Sequence, residues 1–400
     1  MKTRMDLKSD RSLCFFLGLI VFNLIIINLS VGLQELTGVQ SSTVSIVCKG
    51  FLGVIFITLI PKLVHNITTK TLLSIYLTVS VITAQLLFFP NLDIFFKNTA
   101  FTFCTGCLTS FVVGASISDV NQLRRTLDKV SNITGVVVLI FMILVFSGKI
   151  TQSFKESYSM GFGYAMVVPT LCLISHRAVT SREKILKGIL IVGFMMAIMS
   201  FGSRGPLLGI GLYILYFELR KLFEKREFAK MLLCVAIIIV AYASYKGILL
   251  YFSNVLMEYG INSRTLRLMA GNGIYLSKRD ILWEKLMDTW KNHPFSIRGI
   301  NAEWEVIGYY AHNIIFELLY QFGLIVGGII LSLIASLIIQ QLIYPKRETR
   351  NDLCVLLLFA SVPELLFSNS IWESYIFWMW IGLSIGKGLK GEQSEENTIS

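Results

Sequence analysis

Charge is scarce in this chain. Only 15% of its 400 residues are Asp, Glu, Lys or Arg, while 54% are hydrophobic and the mean hydropathy is +0.67. A soluble domain of this length carries about a quarter charged residues to cover its surface. A disulfide framework is also missing. The seven cysteines, at 14, 48, 104, 107, 172, 234 and 354, nearly all fall in apolar stretches, and Cys104-x-x-Cys107 has no further Cys or His near it. No Asp-x-Asp pair, His-Glu-x-x-His or other outward metal signature occurs, so neither a metal nor another cofactor is expected. No basic stretch interleaves with aromatics, which argues against nucleic acid as a partner. A transporter or flippase is expected to show pseudo-symmetric halves and helices broken near the midplane, and no internal repeat is visible.

What is present is apolar length. Stretches of about 18 or more apolar residues recur, each able to cross roughly 30 Å of hydrocarbon. They do not alternate with period two, which disfavours a β-barrel. The expectation is an all-α polytopic membrane protein, a single membrane domain over 1–400. Helices are placed at roughly 13–33, 43–61, 71–89, 99–118, 131–147, 159–175, 186–201, 206–219, 231–250, 324–343, 352–368 and 373–387. Lys and Arg collect in alternate connections, such as Arg124, Arg125 and Lys129, or Arg220, Lys221, Lys225, Arg226 and Lys230. By the positive-inside rule these face the cytoplasm, which gives about twelve spans with both termini cytoplasmic. Much of the net charge of +11 then faces anionic membrane lipid. The basic N-terminus with a long apolar stretch after it reads as a retained first helix. One outer connection, 251–311, runs to about sixty residues, and loops of that length are usually functional.

Several basic residues fall on the outer side, where the inside rule does not explain them. Arg204 lies in "SFGSRGPLLG", a tight turn in which Gly202, Gly205 and Pro206 let the backbone present the guanidinium. Lys49 sits at membrane depth in "SIVCKGFLG", where it either snorkels or faces a polar partner. The large loop adds Arg264, Arg267, Arg279 and Arg298 among seven basic and six acidic residues. Residues 278–291 read as an amphipathic helix along the membrane surface, with Arg279, Trp283, Leu286 and Trp290 on one face. Pro294 and Gly299 end it. Guanidinium groups match phosphate oxygens in pairs, so selected outer arginines suit a phosphate-bearing ligand. At the re-entry of the chain, "AHNIIFELLYQFGLIVGG" carries His312, Asn313 and Glu317. His312 is either a helix-capping residue or a base, since imidazole ordinarily titrates at about 6.5. Glu317, Glu364 and Glu373 are expected near the outer surface, each pairing with a neighbour or lining a cavity.

The turn "GSRGPLLG", the loop opening with "SR", the run "R-x-x-x-W…HPF…RGIN" and "AHNIIFELLYQFGLIVGG" together resemble the O-antigen polymerase and O-antigen ligase superfamily, mainly over 200–330. That resemblance implies a GT-C-like glycosyltransferase of the bacterial plasma membrane with an extracytoplasmic site. The donor it implies is an undecaprenyl-diphosphate-linked oligosaccharide, with a flippase and a chain-length regulator as partners. It implies that Arg204 and Arg279 hold the donor diphosphate and that His312 acts at the acceptor hydroxyl. Arg264, Arg267, Arg298, Lys49, Asn313 and Glu317 are the further candidates for binding diphosphate or glycan. A polymerase pattern of Arg followed eleven residues later by Gly is not kept, because Trp290 stands there. Polymerase and ligase therefore both stand at this point.

Overall fold

The computed structural model describes residues 4–89, 92–150, 160–176, 178–225, 247, 249–261, 263, 266, 269, 279–343 and 349–386. Among them every regular element is helical. In order they are α1 (Arg4–Thr37), α2 (Ser41–Asn66), α3 (Thr69–Phe88), α4 (Leu92–Asn98), α5 (Ala100–Thr102), a wide π turn (Phe103–Leu108) and α6 (Thr109–Ser116). Then come α7 (Val120–Phe146), α8 (Met160–Ala165), α9 (Val167–Ser175), α10 (Ser181–Phe201) and α11 (Arg204–Glu224). The last are α12 (Arg279–Asn292), α13 (Glu303–Ile307), α14 (Ile314–Ile343), α15 (Thr349–Phe367) and α16 (Tyr375–Ile385).

Local chemistry sets several of these boundaries. Thr68, Asp119 and Thr180 precede α3, α7 and α10, and each side chain accepts the amide hydrogen three residues on. These caps satisfy donors that a helix start leaves unpaired. α1, α2, α3, α7, α10 and α14 are long and apolar enough to cross a membrane. α2 presents Ile46, Val47, Phe51, Val54 and Ile57 outward. Such a belt is a liability in water and is neutral against lipid tails, so the chain is membrane-embedded. α1 packs between α2 and α7, α11 pairs with α15, and α6 crosses α16 closely. The last contact relies on small residues: a Cβ on Gly114 would stand 3.1 Å from the Met379 carbonyl oxygen, and one on Gly382 would press on that of Phe111.

Four expected elements come out differently. The run 99–118 is interrupted by the π turn at Phe103–Leu108, and 159–175 is two short helices separated at Met166. The last run, 373–387, is helical only over Tyr375–Ile385, too short to cross 30 Å at 1.5 Å per residue. The amphipathic helix exists as α12, but part of its apolar face packs on protein. Leu286 is buried against Ala302, Ala311 and Tyr320, and Trp283 stacks on Phe316 at 5.2 Å between centroids. Expected residues 231–246 and 248 lie outside the described residues.

α14 is continuous in range but broken at Gly323, which holds φ 69° and ψ 172°. The turn 294–299 fills the break. Leu324 donates its amide hydrogen to the Pro294 carbonyl at 2.8 Å, and the Gln321 carbonyl accepts from Arg298 and Gly299 at 2.9 and 3.0 Å. The expected span at 324–343 thus begins just past the break, and 314–322 forms a separate half-helix. A Cβ at Gly323 would lie 2.7 Å from the Phe295 carbonyl oxygen, in a region of φ and ψ that only glycine occupies readily. Gly323→Ala is predicted to destabilise the fold by about 1–3 kcal/mol. Thermal unfolding in detergent would read this as a lower midpoint, and an unchanged midpoint would show that the break is not required.

Candidate functional site

The site is built around the start of α14. Asn313 caps that helix, its Oδ1 accepting the amide hydrogens of Ile315 at 2.9 Å and Phe316 at 3.3 Å. Its Nδ2 donates to the Leu366 carbonyl at 3.2 Å, which ties the start of α14 to the end of α15. The preceding residue, His312, holds φ 54°, a left-handed conformation uncommon for a residue with a Cβ. There its Nδ1 stands 3.2 Å from the Ser368 carbonyl oxygen. A carbonyl oxygen only accepts, so Nδ1 carries the proton and Nε2 keeps a lone pair. Burial pushes the imidazole down to about 4; the Ser368 bond opposes this shift and the Arg279 charge adds to it. At neutral pH, His312 is therefore an uncharged acceptor.

Ser368 joins the remaining parts. Its carbonyl also accepts from the Tyr310 hydroxyl at 3.3 Å, and its own hydroxyl shares a hydrogen bond with that of Tyr164 at 3.1 Å. The Tyr164 hydroxyl fills the place where a Cβ on Gly205 would be, so glycine at 205 lets the turn before α11 close on it. Arg204 begins α11 at this contact. Arg279 begins α12, and its charge acts on both His312 and Tyr164. Arg279 and His312 thus lie within electrostatic reach of each other beside Tyr164 and Ser368, and the backbone turn that carries Arg204 packs on Tyr164.

The other candidates are placed differently. Lys49 donates from Nζ to Thr102 Oγ1 at 2.9 Å and interacts with the Glu373 charge. Arg298 donates to the carbonyls of His293 at 3.0 Å, Thr289 at 3.4 Å and Tyr320 at 3.5 Å, and lies over the Tyr320 ring at 4.7 Å. It clasps the C-terminal end of α12 onto α14, a good use of a cation near a helix's last carbonyls. Glu317 is fully buried, where its carboxylate accepts from the Ser370 hydroxyl and the Ile371 amide. Glu364 is half-buried and pairs with neighbours, accepting from Asn369 Nδ2 at 2.9 Å and Ser374 Oγ at 3.1 Å. These two carboxylates hold the 368–374 turn that presents Ser368. Arg264 and Arg267 lie outside the described residues.

Reading the sequence missed Tyr164, Ser368 and Glu303. Ser368 had a signal, since "SNS" is a polar turn between two apolar helices; Tyr164 had none. Glu303 is fully buried and accepts from Gln321 Nε2 at 3.0 and 2.9 Å, while Gln321 Oε1 accepts from Trp372 Nε1 at 2.9 Å. Beside them an apolar cleft of about 270 Å³ runs between α12 and α14, lined by Leu286, Met287, Trp290, Ile315 and Phe316 among others.

Asn313→Ala is predicted to cost about 1 kcal/mol through the lost cap, read as a lower unfolding midpoint that Asn313→Asp restores in part. Burial raises the Glu303 carboxyl from 4.5 to about 7, against the opposing Gln321 amide. A carboxyl raised on folding contributes stability below its unfolded pKa and loses it as pH rises through the folded one. Wild-type stability should therefore fall, relative to Glu303→Gln, between about pH 4.5 and 7. Parallel curves for the two proteins would contradict a buried, proton-binding Glu303. Compared with family models, with curated proteins and with solved structures, the chain matches none.

Proposed function

We propose that the protein is a membrane glycosyltransferase of about twelve spans and GT-C-like architecture, whose site lies on the extracytoplasmic face of a bacterial plasma membrane with both termini cytoplasmic. It transfers glycan from a polyprenyl-diphosphate-linked donor to a sugar hydroxyl of a lipid-linked acceptor, as a surface-polysaccharide polymerase does. The observation that carries this reading is that Arg279 and an uncharged His312 lie beside Tyr164 and Ser368, on which the turn carrying Arg204 packs. Cationic donors beside a neutral acceptor match a reaction in which an anion leaves and a hydroxyl loses its proton. The apolar cleft between α12 and α14 suits the hydrocarbon of a lipid whose diphosphate reaches Arg279.

In the step proposed, the acceptor oxygen attacks the anomeric carbon as the bond from that carbon to the diphosphate oxygen breaks. The diphosphate departs with the bonding electron pair, and charge grows on its oxygens. Arg204 and Arg279 stabilise that charge more than they stabilise the intact donor, which is what accelerates the reaction. His312 Nε2 aligns the acceptor hydroxyl and takes its proton. With a pKa of about 4 at rest, it is a weak base until anionic diphosphate offsets the Arg279 charge that helps hold it down. Direct displacement inverts the anomeric configuration.

Reconstitution with a lipid-diphosphate oligosaccharide tests the reading. A ladder of products with released polyprenyl diphosphate supports a polymerase, and one transfer onto a different acceptor supports a ligase. No donor consumption by wild type defeats the transferase reading. Arg279→Gln and Arg204→Gln are each expected to lower turnover about a hundredfold or more, as does loss of one preorganised donor in other transfer enzymes. The acid limb of kcat/KM should lie near 4, below the ordinary imidazole value, because the uncharged form is the working one. Arg279→Gln should move that limb upward, and a limb near 6.5 in wild type would contradict the assigned state of His312. NMR of the product linkage would refute direct displacement if the donor's configuration were retained.

A further inference from the structure

The five residues before Asn313 carry a feature that the transfer step does not use. α13 ends at Gly308, whose φ of 69° reverses the chain in the left-handed region. That reversal lays the Tyr309 ring parallel to Trp304, with centroids 5.5 Å apart and planes 11° apart. His312 continues the row, 5.8 Å from Tyr309 and 19° from parallel. Both contacts are stacked, so three nearly parallel rings overlap in succession, and the last of them is the imidazole.

The base of this row is fixed while its top is open. Glu303, at the start of α13, is held by Gln321, and Asn301 donates from Nδ2 to Thr99 Oγ1 at 2.8 Å. Tyr309 is nevertheless 53% exposed. The polar handles of the row are also unspent. Trp283, Trp290, Trp372, Trp378 and Trp380 each donate their indole hydrogen to a protein oxygen. Trp304 is the sixth tryptophan, and among the described residues its Nε1 has no protein partner; neither has the Tyr309 hydroxyl. Trp304 is half-buried and Tyr309 exposed, so both polar groups can reach a ligand.

We propose that Trp304 and Tyr309 form a binding ledge for a pyranose ring of the acceptor glycan, which deepens the transferase reading and rests on it for the word acceptor. A pyranose presents a face of C–H bonds to the electron-rich face of an aromatic ring, and its hydroxyls at the rim to hydrogen-bonding groups. The stack supplies both: Tyr309 offers the part of its ring that its stacked neighbours leave exposed, with the Trp304 indole N–H and the Tyr309 hydroxyl at the edges. A sugar seated over Tyr309 brings a hydroxyl beside His312 Nε2. Tyr309 and Trp304 are positioning residues, since the proton goes to His312.

Saturation-transfer NMR on the detergent-solubilised full chain, with maltotriose and chitotriose as probes, tests the ledge without any lipid donor. Transfer to the pyranose C–H protons is expected in wild type. It should drop about fivefold in Tyr309→Ala and further in Trp304→Ala/Tyr309→Ala, and largely survive in Tyr309→Phe, which keeps the ring. Equal transfer in wild type and the double variant, or none from either sugar, overturns the ledge; if the double variant does not fold, exposed Tyr309→Ala decides alone. Donor turnover separates the two readings. Ledge-dependent sugar binding without donor consumption retains the ledge and sinks the transferase. Donor consumption with an acceptor KM unchanged in Tyr309→Ala retains the transferase and sinks the ledge, leaving these rings as aromatic anchors at the membrane interface.

Discussion

A single backbone carbonyl, that of Ser368, governs the geometry of the site. It accepts from His312 Nδ1 and from the Tyr310 hydroxyl, while the Ser368 side chain bonds Tyr164. Because a carbonyl has no hydrogen to give, it fixes which imidazole nitrogen is protonated. Because Tyr164 packs on Gly205, the Ser368 hydroxyl also links the Arg204 turn to the residue that holds His312. One residue thus fixes the tautomer of the acceptor through its carbonyl and ties the Arg204 turn to it through its hydroxyl.

The carbonyl is held by a set of buried polar groups. Glu317 takes hydrogens from Ser370 and Ile371, Glu364 takes them from Asn369 and Ser374, and Gln321 bridges Glu303 to Trp372. Buried polar groups are costly unless satisfied and rigid once they are. That cost makes sense where a turn between two membrane helices must present one atom accurately. The break at Gly323 belongs to the same design. It frees the Gln321 carbonyl to bind the chain at Arg298 and Gly299, and so fastens the loop carrying α12 against α14.

Much of the helical frame was legible because long apolar runs admit few alternatives in lipid. The face of α12 was legible as well, since residues 279, 283, 286 and 290 recur at helical spacing. What that face packs against was not, because water-excluding protein and lipid reward the same apolar stripe. The break at Gly323 is hidden in an unbroken apolar run, and only the 294–299 turn that fills it gives it meaning. Glu317 read as an interfacial carboxylate because hydropathy cannot show that Ser370, fifty-three positions away, supplies its partner. Arg298 read as a ligand for phosphate because a sequence does not reveal which backbone carbonyls lie within its reach.

The protonation of His312 is the central claim, because the neutral acceptor, the role of Arg279 and the orientation of the acceptor hydroxyl all follow from it. Solid-state NMR of ¹⁵N-histidine-labelled protein in lipid, with His312 assigned by comparison with His312→Gln, observes that state directly. The structure predicts, at about pH 6, an uncharged ring with a protonated Nδ1 and a bare Nε2. An imidazolium at that pH, or a proton on Nε2 with Nδ1 bare, would contradict it.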